Sequence, residues 1–288
     1  WNRPMKSLRE EIQATIADFP ERLDRFDPAP STDLMELMRA AESGTLTGPE
    51  LARRIDHTLL KADARRSEFE KLSAEARTHS FAGVCVNPSR LPEIVDRLSG
   101  SPVLPVAVVG FPLGAMETES KASETRRAIE LGAREIDMVL PVGVLKDGDF
   151  EAVARDVSRV VSAAKERGVP VKVILETALL DRNEKIAACV IAKRAGAEFV
   201  KTSTGFSTGG ATVEDVRLMR SVVGTRMGVK ASGGIRTRSD ALRMIAAGAD
   251  RIGASSSVSI VTAPGGDDGD GGVNRRDREV SGKSEGEY

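Results

Sequence analysis

Two lysines and one aspartate sit in short β-rich runs where packed aliphatic residues are the rule. Lys201 lies in Phe199-Val200-Lys201-Thr202-Ser203, Lys230 in Val229-Lys230-Ala231-Ser232, and Asp137 in Glu135-Ile136-Asp137-Met138-Val139-Leu140. Side chains alternate faces along a strand, so the apolar trio Ile136, Met138 and Leu140 takes one face and Asp137 the other. Val200 opposes Lys201 in the same way, and Val229 with Ala231 opposes Lys230. The alternation also turns Ile174 and Glu176 away from Val173 and Leu175, and places Asp56 and Cys85 on the polar side of their strands. Burying ionisable groups costs several kcal/mol each unless they pair. A compensated ion-pair network therefore explains any single one of them as well as a catalytic role does, but explains two lysines on successive strands less well.

Adjacent ammonium groups repel, and the simplest relief is for one of them to lose its proton. A free lysine, with a pKa near ~10.4, is almost wholly protonated at neutral pH. A neighbouring cation and burial raise the neutral fraction by orders of magnitude and yield a nucleophilic amine. Such an amine attacks a carbonyl; the resulting iminium is an electron sink that lets the adjacent carbon-carbon bond break. Asp137 and the second lysine are the candidate proton carriers. Alternation does not decide which of Lys201 and Lys230 is the nucleophile.

These residues need a scaffold that brings strand interiors together. From Ile55 onward, eight β-rich runs alternate with helical stretches: 56–60, 83–87, 103–110, 135–140, 171–176, 199–203, 229–232 and 251–254. The helical runs Phe150 to Arg167 and Arg182 to Ala195 are long enough for right-handed crossovers, so the sheet is expected to be parallel. Eight β/α units favour a closed (β/α)8 barrel, the TIM-barrel class of α/β fold, at 51–261. Residues 1–50 read as a helical extension: Leu8, Ile12 and Ile16 form one stripe, a second helix covers Asp33 to Ala41, and Thr47 caps a helix carrying Pro49 and Glu50. The Gly/Asp-rich 262–288 segment has almost nothing to bury and is expected to be disordered, ending in Tyr288, the only tyrosine.

Glycines follow the last three strands, in Thr204-Gly205, Gly233-Gly234 and Gly253-Ala254-Ser255-Ser256, where barrels often hold a phosphate on backbone N–H groups. Arg236 adds charge there. Turns need glycine in any case, so the placement on three consecutive strands carries the weight.

Composition narrows the partners. A formal charge of -1 from 42 basic and 43 acidic residues gives no general field toward nucleic acid or anionic membrane. No apolar run approaches the ~20 residues of a membrane span, so a soluble, cytoplasmic protein is expected. Cys85 and Cys189 lack metal or redox spacing, and the two histidines, His57 and His79, form no zinc motif. These residues leave carboxylate-bound magnesium open, and the reading taken is that no cofactor and no metal are used. The partner expected from these residues is a small carbonyl compound bearing a phosphate, with no nucleic acid and no membrane, and a homodimer or larger homo-oligomer is the expected assembly.

The segments Asp56-His57-Thr58-Leu59-Leu60-Lys61, Glu135-Ile136-Asp137, Val200-Lys201-Thr202-Ser203-Thr204-Gly205-Phe206 and Lys230-Ala231-Ser232-Gly233-Gly234-Ile235-Arg236 resemble those of the deoxyribose-phosphate aldolases. The resemblance spans about Leu51 to Val261. It implies reversible cleavage of 2-deoxy-D-ribose 5-phosphate to acetaldehyde and D-glyceraldehyde 3-phosphate, in deoxyribonucleoside catabolism. It implies the Schiff base at Lys201, a perturbing and proton-transferring role for Lys230, and proton relay by Asp137. Thr204, Gly205, Gly233, Gly234, Gly253, Ser255 and Ser256 then belong to the phosphate side, and Asp56 and Cys85 match positions near the pocket. Some members of that family carry a basic residue where this chain has Phe206, and their N-terminal segment is shorter. A sugar-phosphate isomerase would use an acid/base pair without an imine, and a phosphosugar sensor would need no depressed amine.

Overall fold

The computed structural model describes residues 7–24 and 32–264. From 265 onward the expected disordered tail, with Tyr288, lies outside the described residues. Eight strands form: β1 Ile55–Leu59, β2 Gly83–Val86, β3 Leu104–Val109, β4 Glu135–Val139, β5 Val171–Ile174, β6 Phe199–Lys201, β7 Gly228–Ser232 and β8 Arg251–Ala254. They close into a barrel in chain order, and every neighbouring pair is parallel, β1 with β8 included. The helical runs 150–165 and 182–195 supply crossovers where the sequence places them.

The first four strands end one residue before their expected ends, and β5 and β6 end two residues before theirs. β5 ends at Ile174 because Glu176 turns into the left-handed region, with φ 57° and ψ 60°. β6 ends at Lys201, after which the Thr202 hydroxyl donates to Ser232 O at 3.0 Å and accepts from Ser232 N at 3.0 Å. That exchange ties the ends of β6 and β7 together around the two lysines they carry.

Outward residues of the strands, such as Ile136, Met138, Val173, Val200 and Val229, join the large core between sheet and helices. A separate small apolar cluster of Leu60, Cys85, Val106 and Val108 fills one side of the barrel interior. Within the helix layer, Lys121 of the helix Thr118–Glu130 is fully buried against Asp156 of the helix Phe150–Lys165. Its Nζ donates to Asp156 Oδ2 at 2.9 Å and to Val139 O at 3.1 Å, while Thr118 Oγ1 donates to Asp156 Oδ1 at 3.0 Å.

The N-terminal residues form α1 Leu8–Asp24, α2 Thr32–Glu42 and α3 Gly48–Ala52. Thr47 and Glu50 cap α3 reciprocally, Thr47 N donating to Glu50 Oε2 at 2.7 Å and Glu50 N to Thr47 Oγ1 at 3.4 Å. α1 packs on the outer helices 150–165, 182–195 and 213–223, and α2 on 238–246, so the extension lies along the flank of the barrel. Leu8 and Ile12 are buried there, as their spacing requires.

Candidate active site

Strand register sets the interior rows. Lys201 is directly opposite Lys230 across β6 and β7, Lys230 opposite Arg251 across β7 and β8, and Asp137 opposite Lys172 across β4 and β5. Partners in register point to the same side of a sheet, so closure drives these charges toward one axis. Lys201 Nζ donates to Asp137 Oδ2 at 2.8 Å, and Lys230 Nζ donates to the same oxygen at 2.8 Å and to Asp56 Oδ2 at 2.5 Å. Lys172 Nζ lies 2.8 Å from Asp137 Oδ1 and 2.5 Å from Glu135 Oε2. Arg251 Nη1 reaches Asp56 Oδ1 at 2.6 Å and Glu135 Oε2 at 3.3 Å.

Asp56, Asp137, Lys201 and Lys230 thus meet as alternation requires, whereas Lys172, Glu135 and Arg251 were missed. The signal for the first two was available, since the split that turns Asp137 and Ile174 inward also turns Glu135 and Lys172 inward. Arg251 gave no local sign, because it stands at the start of its strand and reaches inward along its length. Glu176 is buried, yet the alternation that placed it does not extend past Ile174.

Counting the cluster, four cations (Lys172, Lys201, Lys230, Arg251) face three carboxylates (Asp56, Asp137, Glu135). Fully ionised, it would carry an uncompensated positive charge in a buried space, and one proton must be the easiest to lose. Burial would raise Asp137, but Lys172, Lys201 and Lys230 hold its carboxylate well below the usual range. Burial would likewise raise Asp56, which Lys230, Arg251 and Lys172 pull far down. Lys230 is desolvated, yet Asp137 and Asp56 raise it well above an ordinary lysine, and Lys172 is raised by the same two carboxylates. Lys201 is the exception: burial lowers it, Asp137 opposes that, and Lys230 adds to the lowering. Burial, more than the neighbouring ammonium, is the leading cause of its depressed basicity.

Only Lys201 of these four cations lines the cavity of about 400 Å³ at the C-terminal mouth of the barrel. Thr204, Gly205, Gly233, Gly234, Arg236, Gly253 and Ser255 line the same cavity, together with Thr58, Lys61 and Phe206. Ser256 does not line it; its carbonyl accepts from Ser259 Oγ at 2.8 Å at the head of the closing helix 257–262. Asp56 and Cys85 do not line it either, Asp56 being enclosed by its cations and Cys85 packed in the inner apolar cluster. Burial, with Asp137 adding to it, pushes the Cys85 thiol up to about 11, which makes it a poor nucleophile.

Gly233 and Gly234 both take left-handed backbone, φ 86° and 77°, so side chains there would be strained and the turn leaves the chain bare at the cavity wall. Lys61, not singled out from the sequence, adds a second exposed cation to the Arg236 side chain at a mouth where Phe206 brings none. Phe206 instead meets Phe111 edge to face, with centroids 5.3 Å apart. Among the described residues, no group of three His, Cys, Asp or Glu side chains is arranged to hold a metal ion, and no helix is long and apolar enough to cross a membrane.

Residues 51–265 match the DeoC/LacD family aldolase. The chain is 56% identical over 211 residues to a deoxyribose-phosphate aldolase of Bacillus cereus (strain B4264), covering 73% of this chain and 94% of the relative. Among solved structures, a putative deoxyribose-phosphate aldolase from Coccidioides immitis superposes with a TM-score of 0.72 at 40% identity, over 80% of this chain and 95% of the other. The deoxyribose phosphate aldolase from Aeropyrum pernix, whose structure is described as a unique tetramer, gives 0.73 at 37% identity, over 81% and 97%.

Proposed function

The chain belongs to the DeoC/LacD family of aldolases, and from that premise we propose that Lys201 forms the Schiff base by which it cleaves 2-deoxy-D-ribose 5-phosphate reversibly to acetaldehyde and D-glyceraldehyde 3-phosphate. The observation that carries the assignment is that Lys201 alone among the clustered cations combines a place on the cavity wall with lowered basicity. As a neutral amine it donates one N–H to Asp137 Oδ2 and keeps its lone pair for the substrate.

The lone pair attacks the aldehyde carbon, one proton passes from nitrogen to the new alkoxide, and a second, supplied by Lys230 through Asp137, lets that oxygen leave as water and forms the iminium. The C2–C3 bond of the resulting iminium then breaks while the C3 hydroxyl loses its proton, releasing glyceraldehyde 3-phosphate and leaving an enamine on Lys201. Protonation of the enamine carbon and addition of water free acetaldehyde and restore the amine. Asp137 Oδ2 touches Lys201 and Lys230 at once, which suits a proton bridge between the reacting nitrogen and the firmly protonated Lys230. The phosphate is assigned to the wall of Gly233, Gly234, Gly253 and Ser255, with Lys61 and Arg236 supplying charge.

A barrel domain at 51–261 flanked by an extension at 1–50 and a tail at 262–288, a cytoplasmic setting, and assembly as a homodimer or larger oligomer belong to the same proposal. Two buried free thiols, Cys85 and Cys189, suit a reducing compartment. The test is intact mass after incubation with acetaldehyde and borohydride, followed by peptide mapping. One ethyl group on Lys201 is expected. An adduct on Lys230 would exchange the two lysine roles, and no adduct in folded protein across pH would overturn the imine mechanism.

A further inference from the structure

Glu176 carries three features that the mechanism above does not use. It is 3% exposed, it holds a left-handed backbone (φ 57°) that non-glycine residues rarely adopt, and its Oε1 has no hydrogen-bond partner in the protein. Strain of that kind persists only where the surroundings hold it. Backbone bonds pin the turn, Leu175 N donating to Lys201 O at 2.9 Å, Thr177 N to Thr202 O at 3.0 Å and Leu179 N to Glu176 O at 3.0 Å. Thr204 holds the side chain: the Thr204 hydroxyl donates to Glu176 Oε2, and Thr204 N donates to the same oxygen at 3.3 Å. Thr204 Oγ1 in turn accepts from Phe206 N at 3.1 Å.

A threonine hydroxyl has one proton and two lone pairs. Here the proton is committed to Glu176 and one lone pair to Phe206, so a single lone pair remains for a molecule in the cavity that Thr204 lines beside Lys201. That lone pair matches a donor. A phosphate group offers only acceptors at neutral pH, and a carboxylate behind the hydroxyl repels it further. A sugar hydroxyl fits.

We propose that Glu176 is a positioning residue that fixes Thr204 as a hydrogen-bond acceptor, so that Thr204 reads a substrate hydroxyl and orients the phosphate away from it toward Lys61, Arg236 and Gly233-Gly234. This rests on the sugar-phosphate reading above and moves Thr204 from the phosphate side of the cavity to the hydroxyl side. Glu176 itself does not line the cavity and acts only through Thr204.

The test compares two acceptor aldehydes in the acetaldehyde addition: D-glyceraldehyde 3-phosphate and 3-phosphooxypropanal, which lacks the neighbouring hydroxyl. Wild type is expected to favour the hydroxylated aldehyde in kcat/KM by about tenfold or more, the worth of one neutral hydrogen bond. Thr204→Val and Glu176→Leu should each lose most of that preference, the double variant should lose no more than Thr204→Val alone, and Glu176→Gln, whose carbonyl oxygen still accepts, should keep it. If Glu176→Leu does not fold, Glu176→Asn tolerates the left-handed backbone and is too short to reach, and should behave as Glu176→Leu does. Equal slowing of both aldehydes by the Glu176 variants, or an intact preference in Thr204→Val, overturns the inference while leaving the aldolase reading in place. A wild-type enzyme that turns over neither aldehyde overturns both.

Discussion

The chain buries lysines in two regions with different surroundings, and the contrast shows what the proposed chemical use of a lysine requires beyond burial. In the helix layer, Lys121 meets one carboxylate, Asp156, and one backbone carbonyl, and the carboxylate is completed by Thr118. In the barrel interior, Lys201 shares a single oxygen of Asp137 with Lys230, in a cluster holding one more cation than carboxylates. Burial alone does not prepare an amine for chemistry, since Lys121 is as buried as any. Lys201 adds to burial an excess of positive charge in its cluster and a place on the cavity wall, the two features on which its proposed role rests.

Substituting each lysine by methionine tests the contrast most severely. Lys201→Met should remove borohydride trapping and reduce turnover on the order of 10^4-fold or more, as loss of a covalent nucleophile does. Lys121→Met should leave kcat/KM unchanged and instead destabilise the fold by about 3–5 kcal/mol in denaturant titration, because Asp156 keeps its burial without its partner. Trapping that survives Lys201→Met, or activity that collapses in folded Lys121→Met, would erase the distinction between the two regions.

The next effect is on pH dependence. Lys201 is lowered, so imine formation rises with pH through a value below that of free lysine and then levels off. Lys230→Leu removes a repelling cation, which raises Lys201 and moves the rise to higher pH; at neutral pH trapping should slow on the order of 10^2-fold. Lys172→Met leaves three cations against three carboxylates, which removes the excess, and should move the rise in the same direction by less, since Lys172 reaches Lys201 only through Asp137. Stopped-flow trapping across pH reads both. A profile unmoved in both variants would separate the depressed amine from the charge excess and leave burial as its only cause.

The two regions also differ in how visible they are from the residues alone. Barrel-interior charges lie on strands whose period is two, so an apolar trio such as Ile136, Met138 and Leu140 assigns the face of Asp137 without tertiary information. Eight alternating units make closure expected, and closure then brings Asp56 of β1 within 2.5 Å of Lys230 of β7. Lys172 and Glu135 were equally assignable, but a charge at the start of a strand reads as a solvated end until the cluster gives it partners. Lys121 and Asp156 belong to two helices and are 35 residues apart, and a charged residue on an amphipathic helix carries no mark that its face is covered. The left-handed turn at Glu176 had no sign at all, since no glycine or asparagine stands there.

The smallest effect is the most discriminating about why Lys121 is there. If it is only a paired charge, Lys121→Met/Asp156→Leu should recover most of the stability lost in Lys121→Met, because replacing both members of a buried pair with apolar groups is often near neutral. A residue of about 1–2 kcal/mol is expected to remain, since the Val139 carbonyl and the Thr118 hydroxyl lose a partner. The single variant adds a check of sign. Burial already raises Asp156, and without Lys121 it rises further, so the folded state prefers the protonated acid. A raised acid contributes stability at low pH that is lost as pH climbs through its folded value, so the penalty of Lys121→Met should shrink as pH falls and the double variant should show no such dependence. A penalty that is flat with pH in the single variant would mean that Lys121 contributes through the packing of its stem, and that the helix layer holds it as a hydrophobe with a tethered charge.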